Sequence, residues 1–114
     1  MSIDVVRVAV LTALASGPQH GYAILRDMQA LSGGRVSPPV GSLYRVIDNL
    51  VRDGLIEEAS NDVVDGRFRR YYQLTVAGRH ELEGAAATMT AVAAQARRRL
   101  KAKPSTIAIK GARA

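Results

Sequence analysis

Along the first half of the chain apolar residues recur at the three- and four-residue spacing of amphipathic helices. Ile3, Val6, Val10, Leu11 and Leu14 predict a first helix over residues 3–15, closed by Gly17-Pro18. Leu25, Met28 and Leu31 share one face of a second helix over His20–Leu31, and Gly33-Gly34 end it. The run Arg35-Val36-Ser37-Pro38-Pro39 leaves the helix, because each proline fixes its own φ and disfavours the helical region for the residue before it. A third helix is predicted from Val40 to Asp53, with Leu43, Ile47, Leu50 and Val51 inward and Gly54 at the left-handed capping position.

The period then changes. Leu55–Ala59 and the aromatic-rich Phe68–Leu74 read as short strands. The polar stretch between them, Asn61 to Gly66, ends in Asp-Gly, a turn signal, so the pair is expected to form a β-hairpin. Thr75 is a candidate cap for a fourth helix that runs to about Lys103, where Pro104 stops it. Leu82, Ala85, Met89, Val92, Ala96 and Leu100 form its apolar seam. That seam is too thin to be a monomer's whole core, and pairing with a second copy would bury it. Packing back on its own domain is the alternative.

The order is helix, helix, helix, hairpin, long helix: mainly α with a small β-hairpin. These are the parts of a winged helix-turn-helix, in which the third helix enters the major groove and the hairpin wing touches the backbone. The expected organisation is a winged helix-turn-helix over residues 1–75, a dimerisation helix over 76–103, and a disordered tail over 104–114.

Composition narrows the field. A chain of 114 residues fits one domain, and 47% hydrophobic residues suffice for a core. So short a chain gains from sharing a core with a second copy. The absence of Cys excludes disulfides, thiolate zinc sites and thiol chemistry. The apolar run Val5–Ala15 is interrupted by Arg7 and too short to span a bilayer; it lacks a basic leader, so neither membrane insertion nor export is expected and the cytoplasm is the expected compartment. The net charge of +6 suits a polyanion partner, and equally a protein that uses charge for solubility.

Candidate binding residues lie on the third helix and the hairpin. Leu43, Ile47 and Leu50 lock the helix inward, leaving Ser42, Arg45, Asn49 and Arg52 largely on another face. Gly41 and Ser42 offer backbone N–H groups at a helix start, where phosphate binds readily. Arg45 can reach a guanine edge or a phosphate, and Asn49 an adenine edge. On the hairpin, strand alternation puts Arg67, Arg69 and Tyr71 on one side and Phe68, Arg70 and Tyr72 on the other. Arginines there suit a wing gripping the sugar-phosphate backbone, or an edge strand using charge to block aggregation. Tyr22 begins the second helix, where its hydroxyl can bond a phosphate or simply stay wet. Arg97-Arg98-Arg99-Leu100-Lys101 suits DNA, anionic lipid or a solvated helix end. No catalytic set stands out: His20 and His80 are far apart, and His80-Glu81-Leu82-Glu83 reads as a solvated first turn before it reads as a metal site. No cofactor is expected.

Taken in order, His20-Gly21-Tyr22, Gly41-Ser42-Leu43-Tyr44, Asp53-Gly54-Leu55-Ile56-Glu57 and Arg69-Arg70-Tyr71-Tyr72-Gln73-Leu74-Thr75 with Gly78-Arg79 closely resemble the PadR family, over about residues 5–82. The resemblance implies a cytoplasmic homodimer that binds a double-stranded operator and often represses detoxification, efflux or phenolic-acid genes. Carried over by position, it places DNA contacts on Ser42, Tyr44 and Arg45 and on the wing arginines. Two departures stand out. The C-terminal part is a single helix, as in shorter members. The lack of Trp removes the paired-tryptophan drug pocket of some multidrug-sensing relatives, leaving a dimer cleft lined by Met89 and Val92 for a small hydrophobic effector. The expected function is a sequence-specific DNA-binding regulator, a homodimeric repressor and not an enzyme. The competing reading is a winged-helix module that binds protein.

Overall fold

The computed structural model describes residues 4–64 and 66–104. Within it the chain forms α1 (Val5–Leu14), β1 (Gln19–His20), α2 (Gly21–Leu31), α3 (Val40–Arg52), β2 (Ile56–Val64), β3 (Arg67–Leu74) and α4 (Val76–Lys101). The three strands make one antiparallel sheet in the order β1-β3-β2.

The first three helices converge on one core. α1 contributes Val10, Leu11, Ala13 and Leu14, α2 contributes Ile24, Leu25 and Met28, and α3 contributes Leu43, Ile47 and Leu50. Ile56 of β2 and Tyr72 of β3 close it from the sheet side. Each of the larger aliphatic side chains stabilises the fold by about 1.5–3 kcal/mol on full burial. Asp4 starts α1 by accepting from the backbone N–H groups of Val6 (2.9 Å) and Arg7 (3.4 Å). Arg7 in turn pairs with Asp53 at 3.1 Å, tying α1 to the end of α3.

The departure of α4 is fixed by a cluster of backbone contacts. The Thr75 N–H donates to the Leu55 carbonyl at 3.1 Å. Its hydroxyl donates to the Gly54 carbonyl at 2.6 Å and accepts from the Gly78 N–H at 3.0 Å. Gly78 is buried, and a Cβ there would overlap the Leu55 carbonyl oxygen. Gly54, at φ 76°, turns the chain from α3 into β2 in the left-handed region that favours glycine. Past this junction α4 leaves the domain: from Ala86 to Lys101 every residue except Ala93 is exposed, and the molecule measures 66 × 27 × 23 Å.

The structure departs from the sequence expectations in several places. β2 does not stop at Ala59 but continues to Val64, so most of the expected turn is strand. Its outer half pairs with β3 through the backbone, with Asn61 opposite Arg70 and Asp62 opposite Arg69, and its Val63 is exposed. A β-bulge between Glu58 and Ser60 separates the two halves. The turn keeps Gly66 at φ 76°, while Asp65 lies outside the described residues. β1 was not expected at all; two residues after Gly17-Pro18 carry no periodicity, and only pairing with Tyr71 and Tyr72 defines them. Leu31 and Val51, expected inward, are 59% and 43% exposed. Leu31 is the last residue of α2, and Val51 sits about 80° round α3 from Leu43. Ile3 and residues 105–114 of the expected tail lie outside the described residues.

Candidate nucleic-acid interface

α3 presents its polar residues as a built face. Leu43, Ile47 and Leu50 are essentially fully buried, which fixes the rotation of the helix. At 3.6 residues per turn, Ser42, Arg45, Asn49 and Arg52 then fall within a sector of about 80° on the side away from the core. Arg45 and Arg52 are exposed, and Ser42 and Asn49 are half-buried. Arg52 donates to the Asn49 side-chain carbonyl at 3.1 Å, which leaves the Asn49 amide nitrogen to donate elsewhere. No side chain caps the start of α3 at Pro39, so its first backbone N–H groups face outward uncapped beside Gly41 and Ser42.

A second stripe of α3, Tyr44 and Asp48, faces the hairpin. Together with His20, Gly21, Phe68, Arg69, Arg70 and Tyr72 it lines a cleft of about 340 Å³ between helix and wing. A Cβ at Gly21 would collide with the end of the Tyr44 ring, so the glycine lets that ring lie close against the start of α2. Tyr22, beside it, points outward with the Arg26 guanidinium 5.9 Å from its ring centre.

His20 is the joint between wing and helices. Its Nδ1 accepts from the Ala23 backbone N–H at 3.2 Å, capping α2, and the Arg69 guanidinium lies 3.2 Å from the same nitrogen. Both neighbours can only donate, so Nδ1 is the acceptor and the ring is the neutral Nε2–H tautomer. Burial, and then the Arg69 charge, hold the His20 pKa below its usual 6.5. The ring also meets Tyr71 edge-on at 5.4 Å between centres. Strand alternation is visible here: Arg69 and Tyr71 turn toward His20, Tyr72 turns into the core, and Phe68 and Arg70 share the other face with the guanidinium 5.9 Å from the ring centre. Arg70 further pairs with Glu58 at 3.6 Å. Arg67 opens β3; its side chain is outside the described part.

Seven residues singled out from the sequence are thus distributed as follows. Ser42, Arg45 and Asn49 share the outward stripe of α3, Tyr44 and Arg69 both line the cleft, Tyr22 stands at the start of α2, and Arg67 lies toward the wing tip. The sequence reading assigned no role to His20, Asp48 or Phe68. The glycine after His20 signals a close approach, but the group that approaches is Tyr44. Among the described residues no group of three or more His, Cys, Asp or Glu is placed to hold a metal ion, and no helix is long and apolar enough to cross a membrane.

The α4 seam divides in two. Leu82 packs against the core of its own domain. Beyond the half-buried Ala85 the seam is open, with Met89, Val92 and Leu100 at 38%, 64% and 84% exposure and Ala96 exposed beside them.

Three helices, a two-stranded wing braced by a short third strand, and an outward polar stripe on the third helix define a winged helix-turn-helix protein. The sequence profile of the PadR-like family of transcriptional regulators matches residues 10–84. The transcriptional regulator Rv3488 of Mycobacterium tuberculosis is 40% identical over 77 residues, which span 68% of each chain. An uncharacterised 37.1 kDa protein in a transposon of Streptomyces fradiae is 42% identical over 80 residues, 70% of this chain and only 21% of that longer protein. Among solved structures, a PadR-like regulator of Bacillus cereus superposes with a TM-score of 0.74 at 22% identity, over 87% of this chain and 94% of the other. Bacillus subtilis PadR, solved with operator DNA, superposes with a TM-score of 0.63 at 20% identity, over 94% of this chain and 53% of the other. The chain belongs to the PadR-like family of transcriptional regulators, proteins that are not enzymes in general.

Proposed function

We propose that this regulator is a cytoplasmic homodimer that binds a specific DNA operator and represses by occupying the promoter. The observation that carries the reading is the outward stripe of α3, Ser42, Arg45 and Asn49, held rigidly by a buried opposite face and flanked by an arginine-bearing wing. A preorganised stripe on a rigid helix suits base edges in the major groove, and Arg67 and Arg69 suit the phosphates beside it. Tyr22 and Tyr44 supply further phosphate contacts from α2 and the start of α3. Operator binding by a solved protein of the same fold supports the assignment.

In this reading residues 1–75 are the DNA-binding unit and α4 is the pairing arm. Ala85, Met89, Val92, Ala96 and Leu100 would be covered by the same seam of a second copy, while Leu82 anchors the arm to its own domain. The cleft between paired arms at Met89 and Val92 is the place for a small hydrophobic effector that releases the operator.

The test is selection of bound duplexes from a random library, followed by mobility shifts at one stated salt concentration. The expected product is a two-fold symmetric site whose half-sites lie one or two helical turns apart. Recovery of unrelated sequences, with capture of a protein partner through the same face, would instead support the protein-binding module.

A further inference from the structure

Charge along this chain is divided sharply. Residues 1–83 hold nine basic side chains and all ten acidic ones, a net charge of −1, whereas residues 84–114 hold the other seven basic side chains and no acid, +7. The winged domain that would face DNA, residues 1–75, holds eight basic and eight acidic side chains and is neutral, and two of its arginines, Arg7 and Arg70, are already paired with carboxylates. Five of the seven basic side chains after residue 83 lie at the end of the arm or just past it. Arg97, Arg98, Arg99, Lys101 and Lys103 follow one another at its end, all exposed, and none of them forms an ion pair among the described residues.

Their placement on the helix matters. At 3.6 residues per turn Arg97, Lys101 and Arg98 fall within a sector of about 100°, on the side away from the Met89–Leu100 seam. The stripe thus stays free when the seam is covered. Arg97 and Lys101 are separated by about 6 Å along the axis, and a DNA strand carries a phosphate about every 3.4 Å, so neighbouring phosphates are in reach of neighbouring cations.

We infer that the basic end of α4 is a second DNA-binding surface, one that grips phosphates outside those held by α3 and the wing. Resting on DNA as the partner of the winged domain, it supplies the net positive charge that a neutral domain lacks. It carries no base readout, because long flexible cations on an exposed helix end recognise charge and not base edges.

The experiment uses the full chain and a random-sequence duplex, with affinity followed between about 50 and 200 mM salt. In R97Q/R98Q/K101Q the logarithmic salt slope should fall by about 2.7 per chain, the release expected for three phosphate contacts. R97K/R98K/K101R, which keeps the charge, should retain the parent slope. Circular dichroism and light scattering confirm that helix and oligomer are intact in both. An unchanged slope in the glutamine variant overturns the inference, as does a loss of self-association without a change of slope, which would make the stripe a contact to a second copy. Binding to phosphatidylserine vesicles that depends on these residues while the DNA slope does not would also overturn it, in favour of a lipid surface. Because random DNA is the probe, absence of operator preference would sink the proposed function and leave this inference standing.

Discussion

Two glycines of α4 should respond in opposite directions to the same substitution. Gly84 is exposed within the helix and a Cβ there meets nothing within 4 Å. Gly84→Ala should therefore stabilise by roughly the helix-propensity difference, about 0.8–1 kcal/mol. Gly78 lies in the first turn, and its Cβ would overlap the Leu55 carbonyl oxygen and lie 2.9 Å from the carbonyl carbon. Both are backbone atoms, so no side chain can swing aside. The start of α4 must move, stretching the Thr75–Leu55 bond of 3.1 Å and the Thr75–Gly54 bond of 2.6 Å. Overpacking costs about 1–3 kcal/mol and each strained hydrogen bond about 0.5–1.5 kcal/mol, against a propensity gain of at most about 1 kcal/mol. Gly78→Ala should destabilise by about 2–4 kcal/mol. Urea unfolding followed by circular dichroism, at one chain concentration and with the slope checked for constancy, measures both. A Gly78→Ala chain as stable as the parent would refute the close approach on which the departure of α4 rests.

Two further outcomes follow from the site and the arm. His20, with a folded-state pKa below 6.5, binds protons less readily folded than unfolded. Its contribution is complete above that value and is lost as pH falls through the lowered folded value, because protonation removes the Nδ1 acceptor and sets a cation beside Arg69. His20→Asn, which still caps α2, should flatten the acid limb of a stability–pH curve, and an unaltered limb would show that His20 does not couple there. If the α4 seam pairs two copies as proposed, Met89→Asp should yield monomers by light scattering where the parent is dimeric, since a carboxylate buried without a partner is costly; a dimeric variant would move the interface off the α4 seam.

The helices were legible because each of α1, α2 and α3 buries one face, which writes a period into the sequence. Leu43, Ile47 and Leu50 fixed α3 and its outward residues together. The wing was half legible: Tyr72 and Ile56 enter the core, while the polar Asn61–Gly66 stretch carries a turn signal and no strand alternation. Residues from separate sequence motifs meet in pairs. Gly21 accommodates Tyr44, and Gly54-Leu55 receives Thr75 and Gly78. Such contacts join residues far apart in sequence through backbone proximity, which leaves no periodic trace. The same holds for His20 and Arg69: each was visible, but their shared nitrogen was not.

If α3 reads sequence, Arg45 is the residue on which that reading depends most. Arg45 is exposed on the stripe opposite the core, three residues after Ser42 and four before Asn49. A bidentate arginine–guanine pair discriminates by about 1–3 kcal/mol. Affinities of the parent and Arg45→Ala for a selected operator and for a scrambled duplex should be measured at one salt concentration. The parent should strongly prefer the operator, and the variant should lose about 5- to 150-fold more affinity on the operator than on scrambled DNA. Equal losses on the two duplexes would reduce Arg45 to a phosphate contact, and a parent with no preference would contradict sequence reading by α3 altogether.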